Sequence, residues 1–161
     1  MTSALDREFN NLLNPAFGAI LLRAFIDGFC ESDPKQVPLH YLFLPIPLVS
    51  LEEFADALVS TNKSSGFRKV VSKVDSDLLY AIHYRVMDFR TLSLDAIKLG
   101  VSSKIILLDL ETGNSLRPSK SLPSQILPIS QKGILDASRK LGSWFSEMST
   151  HEICTTLRVN L

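Results

Sequence analysis

Apolar positions recur at helical spacing along most of the chain. Phe17, Ile20, Leu21, Ala24 and Phe25 share one face behind Asn14-Pro15, a start signal in which Asn accepts from the first free N–H groups and Pro occupies the first turn. Gly28 is the expected stop, and residues 31–36 with Pro34 read as a loop. Residues 38–49 are almost wholly apolar and interrupted by Pro45 and Pro47. They fit either a short buried helix or an extended edge segment, with the balance toward helix. Ser50 ahead of Leu51, Glu52 and Glu53 predicts a capped short helix through Leu58. The connector at 60–66 is polar and small.

Phe67, Val70, Val71 and Val74 then repeat at helical spacing, with Arg68, Lys69 and Lys73 opposite them. Asp75-Ser76 predicts the cap of a longer helix whose inward stripe is Leu78, Leu79, Ile82, Val86 and Phe89. Thr91 or Ser93 restarts a helix around Leu94, Ala96, Ile97 and Leu99, ended by Gly100 or by Ser102-Ser103. Aliphatics at 105–110, a tight turn at Glu111-Thr112-Gly113-Asn114 and a return at Ser115-Leu116-Arg117 predict a β-hairpin. Two short helices followed by that hairpin suggest a winged-helix-like arrangement at about 105–117. Ser130 opens a long helix carrying Ile134, Ser138, Leu141, Phe145 and Met148 on one side, with Trp144 beside them. Ser149-Thr150-His151-Glu152 has the form of a capping box before a last helix with Ile153 and Leu157. Residues 158–161 alternate and could add a short strand. The expected fold is mainly α: a single compact helical domain over residues 1–161, with an N-terminal arm at 1–13 and a Pro/Ser-rich loop at 118–129.

Composition narrows the function classes. The 161 residues carry 17 Lys+Arg against 17 Asp+Glu, with 45% hydrophobic residues, an ordinary globular balance. A formal charge of zero argues against a polyanion binder that relies on counterion release. Cys30 and Cys154 lie far apart, outside any C-x-x-C spacing, so neither a disulfide framework nor a zinc ribbon is implied, and they read as packed small hydrophobes. The opening residues place no basic stretch before an apolar one, and the apolar run at 39–49 is too short to span a bilayer. A cytoplasmic protein without membrane contact is expected.

The search for chemistry is largely negative. There is no G-x-S-x-G elbow, no phosphate-binding glycine loop, and no metal site. His151-Glu152 begins like a zincin motif, but Thr155 stands where the second ligand would be needed. Asp109-Leu110-Glu111-Thr112-Gly113 has an incomplete calcium-loop spacing and reads as a hairpin turn. His83 sits on an otherwise structural helix and lacks an acidic or nucleophilic neighbour. No catalytic residue, cofactor or metal is therefore expected. The basic residues Lys63, Arg68, Lys69 and Lys73 form either a solvated face or a contact for phosphate or an acidic partner. On the hairpin side, Lys98, Lys104 and Arg117 stand among Asp95, Asp109 and Glu111, which suits protein contact at least as well as DNA contact.

Five stretches together bring a family into view: Asn14-Pro15-Ala16-Phe17-Gly18-Ala19-Ile20-Leu21-Leu22; Pro38-Leu39-His40-Tyr41-Leu42-Phe43-Leu44-Pro45; Ser65-Gly66-Phe67-Arg68-Lys69; Leu107-Leu108-Asp109-Leu110-Glu111-Thr112-Gly113; and Lys140-Leu141-Gly142-Ser143-Trp144-Phe145. In this order the chain resembles the middle component of bacterial three-component ABC-ATPase systems, the group that includes Lamassu-type antiphage and antiplasmid defence complexes. The resemblance implies a small non-enzymatic accessory subunit joining an SMC- or Rad50-like ATPase to an effector, often a nuclease, with DNA reached through the complex. Exposed aromatic and basic residues are the expected partner contacts: Tyr41, Phe43, Lys63, Phe67, Arg68, Lys69, Lys73 and Trp144. The alternative is a stand-alone winged-helix DNA-binding transcriptional regulator, which needs a basic recognition face and normally a dimer.

Overall fold

A computed structural model describes residues 13–118 and 129–161. The predicted N-terminal arm and most of the Pro/Ser-rich loop lie outside the described residues. The helices are α1 (Pro15–Phe29), α2 (Pro45–Val49), α3 (Glu52–Ser60), α4 (Phe67–Val71), α5 (Ser76–Asp88), α6 (Arg90–Ser102), α7 (Ile129–Phe145) and α8 (Thr150–Leu157). Two strands, β1 (Leu107–Leu108) and β2 (Ser115–Leu116), pair antiparallel between α6 and α7. The chain is thus mainly helical with one small hairpin, as the hydrophobic pattern predicts.

The caps that depend only on neighbouring residues form as expected. Asn14 accepts from the Ala16 amide at 2.9 Å with Pro15 in the first turn, and Asp75 accepts from the Asp77 amide at 2.8 Å. Ser149 and Glu152 complete a reciprocal capping box. Residues 38–49 resolve in favour of helix, as a 3-10 turn at Leu39–Phe43 followed by α2. Three local expectations are corrected. Ser50 does not cap α3: its hydroxyl donates back to the Pro47 carbonyl, and Leu51 occupies the cap position. Neither Thr91 nor Ser93 starts α6, which begins at Arg90 directly after Phe89 and holds Ser93 buried inside it. Residues 158–161 form no strand, because Arg158 turns left-handed at φ 57° and closes α8.

Helix α1 is the centre of the fold, packed between α7 on one side and α6 on the other. Leu21, Leu22, Phe25 and Ile26 are completely or almost completely buried, each contributing about 2 kcal/mol of transfer free energy. The glycines explain how closely the helices approach. Gly28 lies inside α1 rather than ending it, and a Cβ there would sit 1.9 Å from the Arg139 carbonyl oxygen of α7. Reciprocally, a Cβ on Gly142 of α7 would sit 2.0 Å from the Phe25 carbonyl oxygen of α1. One turn before Phe25 and Gly142, the buried Ser138 hydroxyl donates to the Leu21 carbonyl at 2.9 Å. Gly100 is likewise internal to α6, where a Cβ would meet Ile106 at 2.6 Å.

Long cationic side chains tie the loop carbonyls to this frame. Arg85 of α5 donates to the Pro47 and Ser50 carbonyls in the last turn and cap of α2, and Lys140 of α7 reaches the Leu58, Val59 and Thr61 carbonyls at the end of α3. Both place positive charge at the negative end of a helix. Arg23, only 2% exposed, pairs with Asp27 at 2.9 Å and donates to the Ile105 and Pro118 carbonyls. Asp27 also receives Arg117 from the hairpin side at 3.1 Å. The hairpin is further joined to the body by an antiparallel bridge between Val37 and Ser115.

Gly142→Ala should lower stability by about 3 kcal/mol or more, because the added methyl meets backbone rather than a movable side chain. Gly133→Ala, in the same helix with nothing within 4 Å of the new methyl, should leave stability unchanged or raise it by up to about 1 kcal/mol. Urea denaturation of the two variants checks both expectations.

Candidate partner-binding surface

The predicted contact residues separate into two groups. Tyr41, Phe67 and Trp144 are at most 4% exposed, so the expectation that they are surface aromatics is corrected. Tyr41 packs edge-on against Phe29 and Phe145, and its hydroxyl shares a 2.7 Å hydrogen bond with Thr150. Phe67 stands perpendicular to Phe145 at 5.2 Å and also meets Trp144 and Phe54. The Trp144 indole donates to the Lys63 carbonyl at 2.8 Å. These rings bind α4 and the 3-10 turn at Lys63–Ser65 to the end of α7; they belong to the core. Phe43 is half-buried.

The cations remain on the outside but are differently engaged. Lys63 pairs with Glu31 from the end of α1, and Lys73 donates to the Ser60 hydroxyl at 3.1 Å. Arg68 lies near Glu152 of α8, and Lys69 is exposed beside it on α4. Hydrogen bonds from the Ser149 amide and hydroxyl hold the Glu152 carboxyl below the usual glutamate range, with smaller help from the charges of Arg68 and His151.

A different surface was missed. On α5, Tyr80, Tyr84 and Met87 are 63%, 73% and 51% exposed and fall at i, i+4 and i+7, a continuous outward stripe. It lies opposite the buried Leu79, Ile82 and Val86. The Arg158 guanidinium stacks over the Tyr80 ring at 4.2 Å, and the chain continues to Asn160 and Leu161, which line a groove of about 190 Å³ with Phe43, His40, Met87 and Arg90. Half-buried His83 meets Tyr84 edge-on. The sequence signal was present, since the apolar residues of 76–88 occupy two faces of one helix rather than one.

Elsewhere a groove of about 520 Å³ lies between α1 and the hairpin, lined by Arg23, Asp27, Cys30, Lys35, Gln36 and Arg117 among others. Its carboxylate is already shared by two arginines. Burial pushes the Cys30 thiol up, and it donates to the Lys35 carbonyl, so it lacks the thiolate character of a reactive cysteine. Among the described residues no cluster of His, Cys, Asp and Glu could hold a metal ion, and no helix is long and apolar enough to cross a membrane. The 109–113 segment is an ordinary turn: its Asp109 carboxylate oxygens accept from the Glu111 amide and the Gln36 side chain.

Tyr80, Tyr84 and Met87 thus form an exposed apolar stripe on one face of a small helical domain. The family model of the ABC-three component (ABC-3C) system Middle Component 3 matches residues 2–161; the chain belongs to that family. No curated protein and no solved structure matches it.

Removing the Ser149 hydroxyl tests how the last helix is held. Ser149→Ala should cost about 1 kcal/mol at neutral pH. Because the Glu152 pKa is depressed by folding, its contribution is present above the ordinary glutamate pKa and fades as pH falls below about 4.3. The deficit of Ser149→Ala relative to wild type should therefore shrink on acidification, measured by thermal unfolding from pH 7 to pH 3.

Proposed function

We propose that this chain is a non-catalytic adaptor, a single domain over residues 1–161, that joins an SMC/Rad50-like ATPase to a nuclease-like effector in a Lamassu-type bacterial defence complex of the cytoplasm. Membership of the middle-component family supports an accessory role within a three-component system. The observation that carries the adaptor reading is the α5 stripe of Tyr80, Tyr84 and Met87, since large apolar side chains aligned on one exposed helix face gain most from a protein partner. Arg68 and Lys69 form a separate polar contact region, and Phe43 contributes through the groove beside Met87. The subunit holds the effector on the ATPase in an inactive arrangement, and DNA sensed by the ATPase shifts the complex toward release. Acidic Asp109 and Glu111 at the hairpin tip repel a phosphate backbone, which weighs against the winged-helix transcriptional regulator.

Co-expression with the other two components of the system, with this chain tagged, tests the reading. Wild type should recover both. Tyr84→Glu with Met87→Glu should lose at least one component while the thermal midpoint stays within a few degrees, because more than half of each side chain is exposed in the free chain. Charge reversal at Arg68 and Lys69 should weaken assembly in a salt-dependent way. A lone dimer that binds DNA with steep salt dependence would replace the adaptor by the regulator.

A further inference from the structure

The hairpin displays a side chain that the described residues leave uncovered. Leu110 is 93% exposed at the tip, in a turn where polar residues or glycine would serve as well. The turn that carries it is rigidly held. The Asp109 amide donates to the Asn114 carbonyl at 2.9 Å, the Gly113 amide donates to the Asp109 carbonyl at 2.8 Å, and the Glu111 amide donates to the Asp109 carboxylate at 2.9 Å. Gly113 takes φ +71°, the left-handed position that glycine adopts without cost. From outside the hairpin, the single Gln36 amide bridges both ends of the turn, donating to Asp109 Oδ2 at 3.0 Å and accepting from Asn114 Nδ2 at 3.1 Å. The turn is thus fastened to the Val37 segment, which itself bridges to Ser115.

Within the tip itself the charge has one sign. Residues 109–116 contain Asp109 and Glu111 and no Lys or Arg. The nearest cation after the turn, Arg117, is committed to Asp27. Hydrogen bonds, chiefly from the Glu111 amide, hold the Asp109 carboxyl below the usual aspartate range, so the tip stays anionic.

We infer that this tip is a docking knob: Leu110 inserts into an apolar pocket rimmed by Lys or Arg on another protein component of the same system. A preordered turn spares the cost of ordering a loop on binding, a central apolar anchor supplies contact, and the two flanking carboxylates select a cationic rim. Nucleic acid is disfavoured as the occupant by the same two charges. The inference rests on the adaptor reading and adds to it a second contact point, on an element separate from the α5 stripe.

Binding of this chain to each of the other two purified components, and its own self-association, tests the knob with Leu110→Asp and Glu111→Lys. Leu110→Asp should weaken binding to one component by about tenfold or more without moving the thermal midpoint, since Leu110 is 93% exposed. Glu111→Lys should weaken the same interaction at low salt, with the difference shrinking as salt rises. Wild-type affinity of Leu110→Asp for both components overturns the inference while leaving the adaptor reading intact. Loss of a homodimer in Leu110→Asp, with both components still bound, makes a second copy the occupant and equally overturns it. If the wild-type chain binds neither component, the adaptor reading fails first and this inference with it.

Discussion

The backbone-to-backbone approach of α1 and α7 at Gly28 and Gly142 governs the rest of the structure. Each glycine leaves room for a carbonyl of the opposite helix, at a distance that no Cβ could share. With the two helices this close, Ser138 can reach the Leu21 carbonyl and Phe25 can pack edge-on against Phe145 at 5.7 Å. Phe145 is in turn the ring on which Tyr41 and Phe67 converge. The crossing therefore positions the 3-10 turn, α4 and α8 as well as its own two helices, and a bulkier residue at either glycine would disturb contacts far along the chain.

Once that frame is set, the connections are held by cations rather than by further apolar packing. Arg23, Arg85 and Lys140 each spend their donors on backbone carbonyls that end or follow short helices and turns. Such carbonyls would otherwise be left without partners at the edge of the core, which is costly. The aliphatic stems of these residues pack while their heads find oxygen. The neutral formal charge is consequently a poor guide to the surface, because part of the positive charge is turned inward.

What remains outside is organised by element. The α5 stripe is broad and apolar, the hairpin tip is narrow and acidic, and the α4 face is basic. Surfaces of three different chemistries on one small subunit suit a component whose role is to contact several others, and each surface stands on a helix or turn fixed by the core rather than on the core itself.

The chain's local grammar was legible from sequence. The caps at Asn14, Asp75 and Ser149, the inward stripe of α5 and the hairpin at 105–117 depend on residues a few positions apart, and they formed where the pattern placed them. The family too was visible in the order of five stretches from Asn14 onward, although none of them is a catalytic motif. Tertiary structure alone decided the meaning of the glycines, the aromatics and the cations. Gly28, which reads locally as a helix stop, and Gly100, one of two readable stops in a helix that runs on to Ser102, lie inside helices where the neighbouring element comes too close for a side chain. Tyr41 and Phe67 are core because α7 and α8 close over them, and Trp144 because α4 and the 63–65 turn close over it, whereas Tyr84 and Leu110 are exposed because nothing in the described chain does. Burial is set by contacts between residues tens of positions apart, and helical spacing can say which residues share a face but not which face another element will cover.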